Sequence, residues 1–210
     1  DRLTTYRQIC AQVAREFNLI ACFMSKPFMG VSANGCHTNV SLWKGGDLKS
    51  TPIGNDPLPG MEQVFTHISG GENMFMPDPK IDAVKPGPVG LQSIAGLLKH
   101  LPALTCLGSP TVNSYRRLWD TGFWAPVYAD WGYQNRTCSV RVSAPGRVEY
   151  RSVDSTHNPY LMGAGILKAF DDGIDNNYDP GEPEKKNIYD AMKAGKKVDK
   201  LPMTLGEAID

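Results

Sequence analysis

The most informative part of the chain is an arginine-rich run between residues 113 and 151. Its last segment reads Arg147-Val148-Glu149-Tyr150-Arg151. Side chains alternate along a strand, so this segment would place Arg147, Glu149 and Arg151 on one face of a sheet. The earlier segments are Asn113-Ser114-Tyr115-Arg116-Arg117-Leu118, Phe123-Trp124-Ala125-Pro126, Asn135-Arg136-Thr137 and Val140-Arg141-Val142. Guanidinium groups bind phosphate and carboxylate through paired hydrogen bonds, and a carboxylate among them is a ligand for a divalent cation. The run therefore predicts a site for a polyanionic substrate and a metal ion.

The composition is that of one globular domain with a sizeable core. The chain has 210 residues, a net charge of zero and 41% hydrophobic residues. A balanced charge without a lysine-rich patch argues against nucleic-acid binding, and the lack of a run of about 18 apolar residues argues against a transmembrane helix. The five cysteines are scattered, odd in number and free of CxxC spacing, which predicts reduced thiols in a cytoplasmic protein.

Periodic apolar residues and turn signals predict a mixed α+β domain. The predicted helices cover residues 3–17 and 88–101, a segment that Asn158 caps and Pro159 begins, and a segment from Thr204 in which Glu207 completes a capping box. The predicted strands cover residues 19–23, 37–43, 127–131, 138–142 and 148–151. Residues 45–59 are predicted to be a surface loop, and the charged segment after Gly173 a mobile surface excursion.

The order of these motifs resembles the catalytic domain of glutamine synthetase. Residues 113–161 follow the family pattern NSY(K/R)RL…AP…NR(S/T)…(I/V)R…R(I/V)E.R…D…NPYL, and residues 23–43 follow FMPKP..G..GSGMH.(H/N).SL. A third block is Asp172-Gly173-Ile174, then residues 179–183, then Ile188-Tyr189-Asp190. The resemblance implies an α+β fold in which a curved antiparallel sheet forms a partial barrel with flanking helices. It also implies that residues 1–210 are the C-terminal part of the catalytic domain, with an N-terminal domain and further metal ligands upstream.

By this resemblance the chain belongs to an ATP-dependent carbon–nitrogen ligase, which phosphorylates the γ-carboxylate of glutamate before a nitrogen nucleophile attacks it. Such chemistry needs cations around the transferring phosphate. The implied metal ligands for Mg²⁺ or Mn²⁺ are His37 and Glu149. Glutamate would be bound by Arg117, Arg151 and the loop at Ala33, and the phosphates by Arg136 and Arg141. The implied nucleotide contacts further include Arg147, Ser41 and Asn39, whereas Arg116 is expected to be structural. His67, His100 and His157 match no motif and are expected at the surface or in packing.

The chain departs from the family pattern where the family has RLVPG(Y/F)EAP, whose glutamate helps to bind and deprotonate ammonium. Here the sequence is Arg117-Leu118-Trp119-Asp120-Thr121-Gly122-Phe123-Trp124-Ala125-Pro126, one residue longer, with Trp124 at the glutamate position. An amine of pKa about 10.4 must lose a proton at a cost of roughly 4 to 5 kcal/mol at pH 7, which a base normally offsets. Tryptophan is no base, but its ring can hold an alkylammonium ion with about 0.5 to 2 kcal/mol. Asp120 is the predicted replacement base, and the competing interpretation of Trp124 is simple packing of the loop.

This departure resembles the γ-glutamyl-amine ligase branch of the family, such as the γ-glutamylmethylamide synthetases, which use methylamine. Glutamine synthesis from ammonia is the alternative, with ligation of a polyamine as a further option. A non-catalytic scaffold with the same fold is the alternative of another class. The resemblance also implies a cytoplasmic homo-oligomer, namely a dodecamer of two hexameric rings. Tyr189 lies near a tyrosine that one bacterial branch adenylylates, but Asp190-Ala191-Met192-Lys193 does not match that branch, so we expect no modification.

Overall fold

The computed structural model describes residues 2–52, 63–78, 80, 84–119 and 124–210. Its helices are α1 (Arg2–Glu16), α2 (Pro88–Lys99), α3 (Leu101–Gly108), α4 (Val112–Trp119), α5 (Pro159–Asp175), α6 (Ile188–Lys193) and α7 (Leu205–Ile209). Its strands are β1 (Thr38–Val40), β2 (Trp43–Lys44), β3 (Asp47–Pro52), β4 (Gln63–Ser69), β5 (Glu72–Asn73), β6 (Trp131–Tyr133), β7 (Val140–Ala144) and β8 (Arg147–Tyr150). The predicted α+β class is confirmed. Every helix in these ranges is too short or too polar to span a membrane.

The main sheet has four strands in the order β1-β8-β7-β6. Strand β8 pairs antiparallel with β1 and with β7, so Glu149 lies between Asn39 on one side and Arg141 on the other. Strands β6 and β7 are parallel, which makes this sheet mixed rather than wholly antiparallel. The described strands form an open sheet and two separate two-stranded ribbons, without a closed barrel.

The helices α2 and α5 pack closely against each other and cover the sheet. A Cβ atom at Gly96 or at Gly173 would overlap the backbone of the opposite helix, so both glycines are needed for this approach. Phe170 of α5 meets Phe75 edge to face, with ring centroids 5.6 Å apart. The buried core continues into the sheet through Val140 and Val148, among other apolar residues. The strands that carry the predicted site residues are therefore supported by a closely packed layer formed by α2 and α5.

The two predicted helix caps are confirmed. The Asn158 side chain accepts hydrogen bonds from the backbone N–H groups of Tyr160 at 3.0 Å and Leu161 at 3.3 Å. Thr204 accepts from the N–H of Glu207, but the Glu207 carboxylate accepts from Met203 rather than from Thr204 itself. The reciprocal contact of the capping box is thus shifted by one residue.

Several predicted elements differ from the structure. Residues 19–23 are not a strand, since the described residues offer them no ladder partner and Leu19 and Ile20 are exposed. Residues 47–52 form β3, which pairs with β4, where a surface loop was predicted; residues 53–59 of that loop lie outside the described ranges. In the predicted strand 127–131 only Trp131 joins the sheet, while Tyr128 forms an isolated bridge with Lys200.

The charged segment after Gly173 is also more ordered than predicted. It contains α6, and its Glu184 is buried at 9% exposure. Lys196 donates to the Glu184 carboxylate at 2.7 Å and also to Asp130. Burial acts to raise the pKa of Glu184, but the Lys196 hydrogen bond and backbone donors lower it overall. Buried charges that are paired in this way hold the segment against the sheet.

Candidate functional site

A cavity of about 740 Å³ opens at the end of the sheet where β1, β7 and β8 meet. It is lined by Ala33, Asn34, Gly35, His37, Arg117, Trp124, Ala125, Arg136, Arg141, Glu149 and Arg151. Eight of the twelve predicted site residues are in that set, from four separate stretches of the chain. Asn39, Ser41 and Arg147 are not in the lining, and Asp120 lies outside the described residues.

Glu149 is the electrostatic centre of the cavity. Its Oε1 lies 3.0 Å from His37 Nδ1 and accepts from Arg151 Nη1 at 3.2 Å, while its Oε2 accepts from Arg141 Nη1 at 2.7 Å. Glu149 is only 5% exposed, and burial acts to raise its pKa. The hydrogen bond with His37 and the charges of Arg151 and Arg141 outweigh burial and lower the pKa of Glu149 to about 2. The carboxylate is therefore ionised at neutral pH.

His37 and Glu149 together suit part of a divalent-cation site. An ionised carboxylate and an imidazole are ordinary metal ligands, and here they are in direct contact. Among the described residues there is no cluster of three or more His, Cys, Asp or Glu that could hold a metal ion. The pair supplies two ligands, so a complete coordination shell needs others. The donor set fits the expected Mg²⁺ or Mn²⁺, and the metal role of both residues stays a prediction.

Arg117 offers a buried cation to the cavity from helix α4. It is 4% exposed, and its Nη2 donates to the Arg151 carbonyl oxygen at 3.1 Å. Its Nη1 has no hydrogen-bond partner among the described residues. Burial lowers the pKa of Arg117 to about 10, against the charge of Asp154, so the guanidinium stays protonated at neutral pH. An unpaired guanidinium N–H in such a place is a donor for an anionic ligand.

Arg151 joins three parts of the cavity wall. Besides its contact with Glu149, its Nη2 donates to the Arg136 carbonyl oxygen at 2.8 Å and to the Trp124 carbonyl oxygen at 3.3 Å. The strand that carries Glu149, the Arg136 loop and the Trp124 segment are thus held around one buried guanidinium. Such charge-assisted bonds are stronger than neutral ones, so the relative positions of the three parts are well fixed.

Trp124 presents its indole at the open side of the cavity, where it is 56% exposed. Its φ is 63°, in the left-handed region that costs a non-glycine residue roughly 1 to 2 kcal/mol. The backbone of the next residue is also hydrogen-bonded, since the Tyr189 hydroxyl donates to the Ala125 carbonyl oxygen at 2.8 Å. A strained backbone at a cavity wall is typical of a functional position, although the role of Trp124 stays a prediction.

Three lining residues, Asn34, Gly35 and Ala125, are not among the predicted site residues. The Asn34 carboxamide accepts from the Ser155 N–H and hydroxyl and donates to the Met24 carbonyl, which fixes the loop that carries Ala33. A Cβ at Gly35 would lie 2.9 Å from His37 Nε2 and 3.3 Å from Arg117 Nη2. The signal was present in the Asn34-Gly35-Cys36-His37 motif, but the close approach to Arg117 is visible only in three dimensions.

Of the three predicted nucleotide residues outside the lining, Asn39 lies on β1 and Arg147 on β8, while Ser41 follows β1. Arg147 Nε donates to the Ser143 hydroxyl at 3.1 Å, and that hydroxyl lies 3.4 Å from the Asn39 carboxamide oxygen. The Ser41 hydroxyl accepts from the indole N–H of Trp43 at 2.9 Å. Arg147 and Asn39 therefore form a polar group of their own, across Arg141 from the cavity.

The residues without an assigned role are used in packing or surface contacts. Arg116 is exposed, His100 lies 2.7 Å from the Asp172 carboxylate, and buried His157 contacts the Asp154 carbonyl. The side chain of His67 is outside the described part of the structure. All five cysteines are free, and burial raises the pKa of Cys36, which disfavours a thiolate beside His37.

Comparisons with known proteins agree with this geometry. A profile described as "Glutamine synthetase, catalytic domain" matches residues 1–78 and 61–210. Glutamine synthetases from Pyrococcus furiosus and Pyrococcus abyssi are 36% and 38% identical over 217 and 218 residues, covering 100% of this chain and 42% of each relative. The chain thus spans less than half the length of these curated relatives.

Solved structures give the same result in three dimensions. A ligand-free GmaS superposes with a TM-score of 0.77 and a GmaS/ADP complex with 0.79, both at 32% identity. Each covers 99% of this chain, and the chain covers 42% and 43% of the respective protein. Because the profile covers the whole chain and the cavity gathers the motif residues, the chain belongs to the glutamine synthetase catalytic-domain family.

Proposed function

We propose that the protein containing this chain is an ATP-dependent ligase that joins a small alkylamine, such as methylamine, to the γ-carboxylate of glutamate. Residues 1–210 would be the C-terminal part of its catalytic domain. The observation that carries the proposal is the exposed indole of Trp124 on the wall of an arginine-lined cavity, where the family pattern has a glutamate. An aromatic face is suited to an alkylammonium ion, because cation and apolar methyl group are both accommodated.

The cavity residues divide into groups by the charge that each would meet. Arg117 and Arg151 would bind glutamate, with the backbone at Ala33, since Arg117 keeps an unpaired buried N–H among the described residues. Arg136 and Arg141 would face the transferring phosphate, and Arg147, Asn39 and Ser41 would contact the nucleotide. His37 and Glu149 would hold Mg²⁺ or Mn²⁺, which when bound neutralises charge on the phosphate oxygens.

The proposed reaction has two steps. The γ-phosphate of ATP is transferred to the glutamate γ-carboxylate, which gives ADP and γ-glutamyl phosphate. The bound alkylammonium ion loses a proton, the free amine nitrogen then attacks the carbonyl carbon, phosphate leaves, and the nitrogen loses its second proton. Arg117 and Arg136 would stabilise the developing negative charge. Asp120 is the proposed proton acceptor, and its test is an Asp120→Asn variant, whose unchanged rate would remove it from the mechanism.

The similarities support an amine ligase without deciding the amine. Both solved structures belong to GmaS, a γ-glutamylmethylamide synthetase. The curated relatives are named glutamine synthetases, which favours ammonia as the second candidate donor. A non-catalytic scaffold is less well supported, because the ionised Glu149 and five cavity or strand arginines are all retained. We further propose a cytoplasmic homo-oligomer, a dodecamer of two hexameric rings, with no nucleic-acid partner.

The test is a steady-state assay of the full-length protein. Glutamate- and Mg²⁺-dependent ADP release is measured while methylamine is titrated against ammonia. We expect a kcat/KM at least about tenfold higher with methylamine, and a loss of about 2- to 30-fold in Trp124→Ala, the range that a cation–π contact corresponds to. Trp124→Phe should lose less, because it keeps a ring.

Trp119→Phe is the matched control, since its indole donates to the Met203 carbonyl oxygen and is not in the cavity lining. A preference for ammonia that Trp124→Ala leaves unchanged would assign the protein to glutamine synthesis. No turnover with either donor would instead support the scaffold or a larger amine.

A further inference from the structure

Helix α6 touches the cavity wall from outside through one hydroxyl group. The Tyr189 hydroxyl donates to the Ala125 carbonyl oxygen at 2.8 Å, across 64 positions of sequence. Ala125 is buried, and it directly follows Trp124, whose backbone is in the left-handed region. The Tyr189 ring itself is fixed, because it meets Tyr128 edge to face with centroids 6.1 Å apart. The hydroxyl therefore approaches Ala125 from a rigid position.

The start of the same helix is tied to the Arg136 loop. The backbone N–H of Ile188 donates to the Thr137 hydroxyl at 3.0 Å, and the Asn135 carboxamide donates to the Lys186 carbonyl at 2.8 Å. Helix α6 and Lys186, which lies just before it, thus contact the two residues that flank Arg136, and Tyr189 of the helix contacts the residue that follows Trp124. These two walls are the ones that Arg151 bridges from inside the cavity.

The position of the indole depends on these outer contacts. A tryptophan in the left-handed region has no intrinsic preference for it, so neighbouring contacts must hold the segment there. Arg151 fixes the Trp124 carbonyl, and Tyr189 fixes the next carbonyl along the chain. Without the second contact, Arg151 still holds the Trp124 carbonyl, but the peptide group between Ala125 and Pro126 loses its bond to helix α6. The indole would then lose its alignment with the cavity.

The geometry points to Tyr189 as a positioning residue for the nitrogen-donor subsite: through the Ala125 carbonyl it holds the Trp124 segment in place at the cavity wall. This inference rests on the proposed function, which gives Trp124 its role. Tyr189 does not reach the cavity lining and takes no part in bond making. Its effect is restricted to the nitrogen donor, since glutamate and phosphate groups would be bound by arginines on other elements.

The test is a Tyr189→Phe variant of the full-length protein, which removes the hydroxyl and keeps the ring pair with Tyr128. We expect the KM for the nitrogen donor to rise about five- to tenfold. The kcat should stay within twofold, and the KM values for glutamate and ATP should not change. A merely structural defect would move all three KM values or the melting temperature. Tyr178→Phe is the control, because that hydroxyl contacts Lys99 on the helical surface.

A double-mutant cycle identifies the route of the effect. In a Trp124→Ala background, Tyr189→Phe should change the donor KM by less than twofold, since the group that it positions is gone. Additive effects, or an unchanged donor KM in the single variant, would overturn the inference. The cycle is measured with whichever donor the wild type prefers. A wild-type preference for ammonia would thus refute the alkylamine as the donor. The KM of the variants for ammonia would then still test whether Tyr189 positions the donor subsite.

Discussion

A methyl group at Gly35 should damage two functions of the cavity at once. The Cβ of a Gly35→Ala variant would lie 2.9 Å from His37 Nε2, and ordinary contacts begin near 3.4 Å, so the imidazole must retreat by about 0.5 Å. Arg117 Nη2 would lie 3.3 Å away, and this guanidinium is buried and bonded to the Arg151 carbonyl, which leaves it little room to give.

The expected magnitude follows from that displacement. A misplacement of 1 Å at a reacting centre costs about 100-fold in rate, so half of it should cost on the order of tenfold in kcat/KM. Metal affinity should fall by about 10-fold or more, because one ligand is pushed from its place against Glu149. Overpacking should also reduce the free energy of unfolding by roughly 1 to 3 kcal/mol.

The assay combines Mn²⁺ binding, followed by electron paramagnetic resonance, with steady-state KM values for glutamate in the full-length protein. Gly163→Ala in α5 is the matched control, because a Cβ there meets nothing within 4 Å, and it should stabilise the helix by about 0.5 to 1 kcal/mol. If Gly35→Ala keeps wild-type Mn²⁺ affinity and glutamate KM, then His37 and Arg117 are not the cavity ligands that we infer.

Two further predictions concern stability. Lys196→Met should cost about 2 kcal/mol at pH 7, measured by urea unfolding, because it leaves the buried carboxylates of Glu184 and Asp130 unpaired. The lowered pKa of Glu184 means that this stabilisation is present above its ordinary pKa near 4.3 and is lost as the pH falls below it, so the difference in stability between wild type and variant should shrink as the pH is lowered through that range. Lys168→Met, which breaks an exposed pair with Asp171, should change stability far less than Lys196→Met, and an equal loss in both variants would contradict the burial argument. Asn158→Ala should cost about 1 kcal/mol and Asn158→Asp only a few tenths, since the aspartate still accepts from Tyr160 and Leu161; similar losses in both would mean that the cap contributes little.

The sequence predicted correctly those helices and strands whose signals come from residues close together in the chain. The Asn158-Pro159 cap, the apolar period of residues 88–101 and the alternation around Glu149 all depend on neighbours in sequence, and the structure has these elements within a few residues. The prediction of a strand at residues 19–23 was wrong because an apolar run becomes a strand only if another strand pairs with it. The hairpin of β3 and β4 was missed because the Gly and Pro residues of the stretch 45–59 indicate a loop, whereas β3 forms through backbone pairing with β4, which lies later in the chain.

The site was predictable in composition but not in arrangement. Motif positions indicated which arginines, histidine and carboxylate to group, and six of these residues line one cavity. The hydroxyl of Tyr189 on the Ala125 carbonyl, the left-handed backbone of Trp124 and the crowding at Gly35 come from contacts between distant segments. No local pattern contains that information, because it depends on how the helices and strands pack.

The bond from Arg151 to the Trp124 segment ends on a backbone carbonyl rather than on a side chain. Every amino acid provides that acceptor. The residue at 124 can therefore be exchanged while Arg151 keeps its hydrogen bonds to the three parts of the cavity wall. The only restriction is a tolerance for the left-handed backbone, which asparagine and glycine meet more easily than tryptophan does. On the proposed function, donor preference is therefore separable from the phosphate and metal subsites, and we expect single substitutions at 124 to change it without altering those subsites.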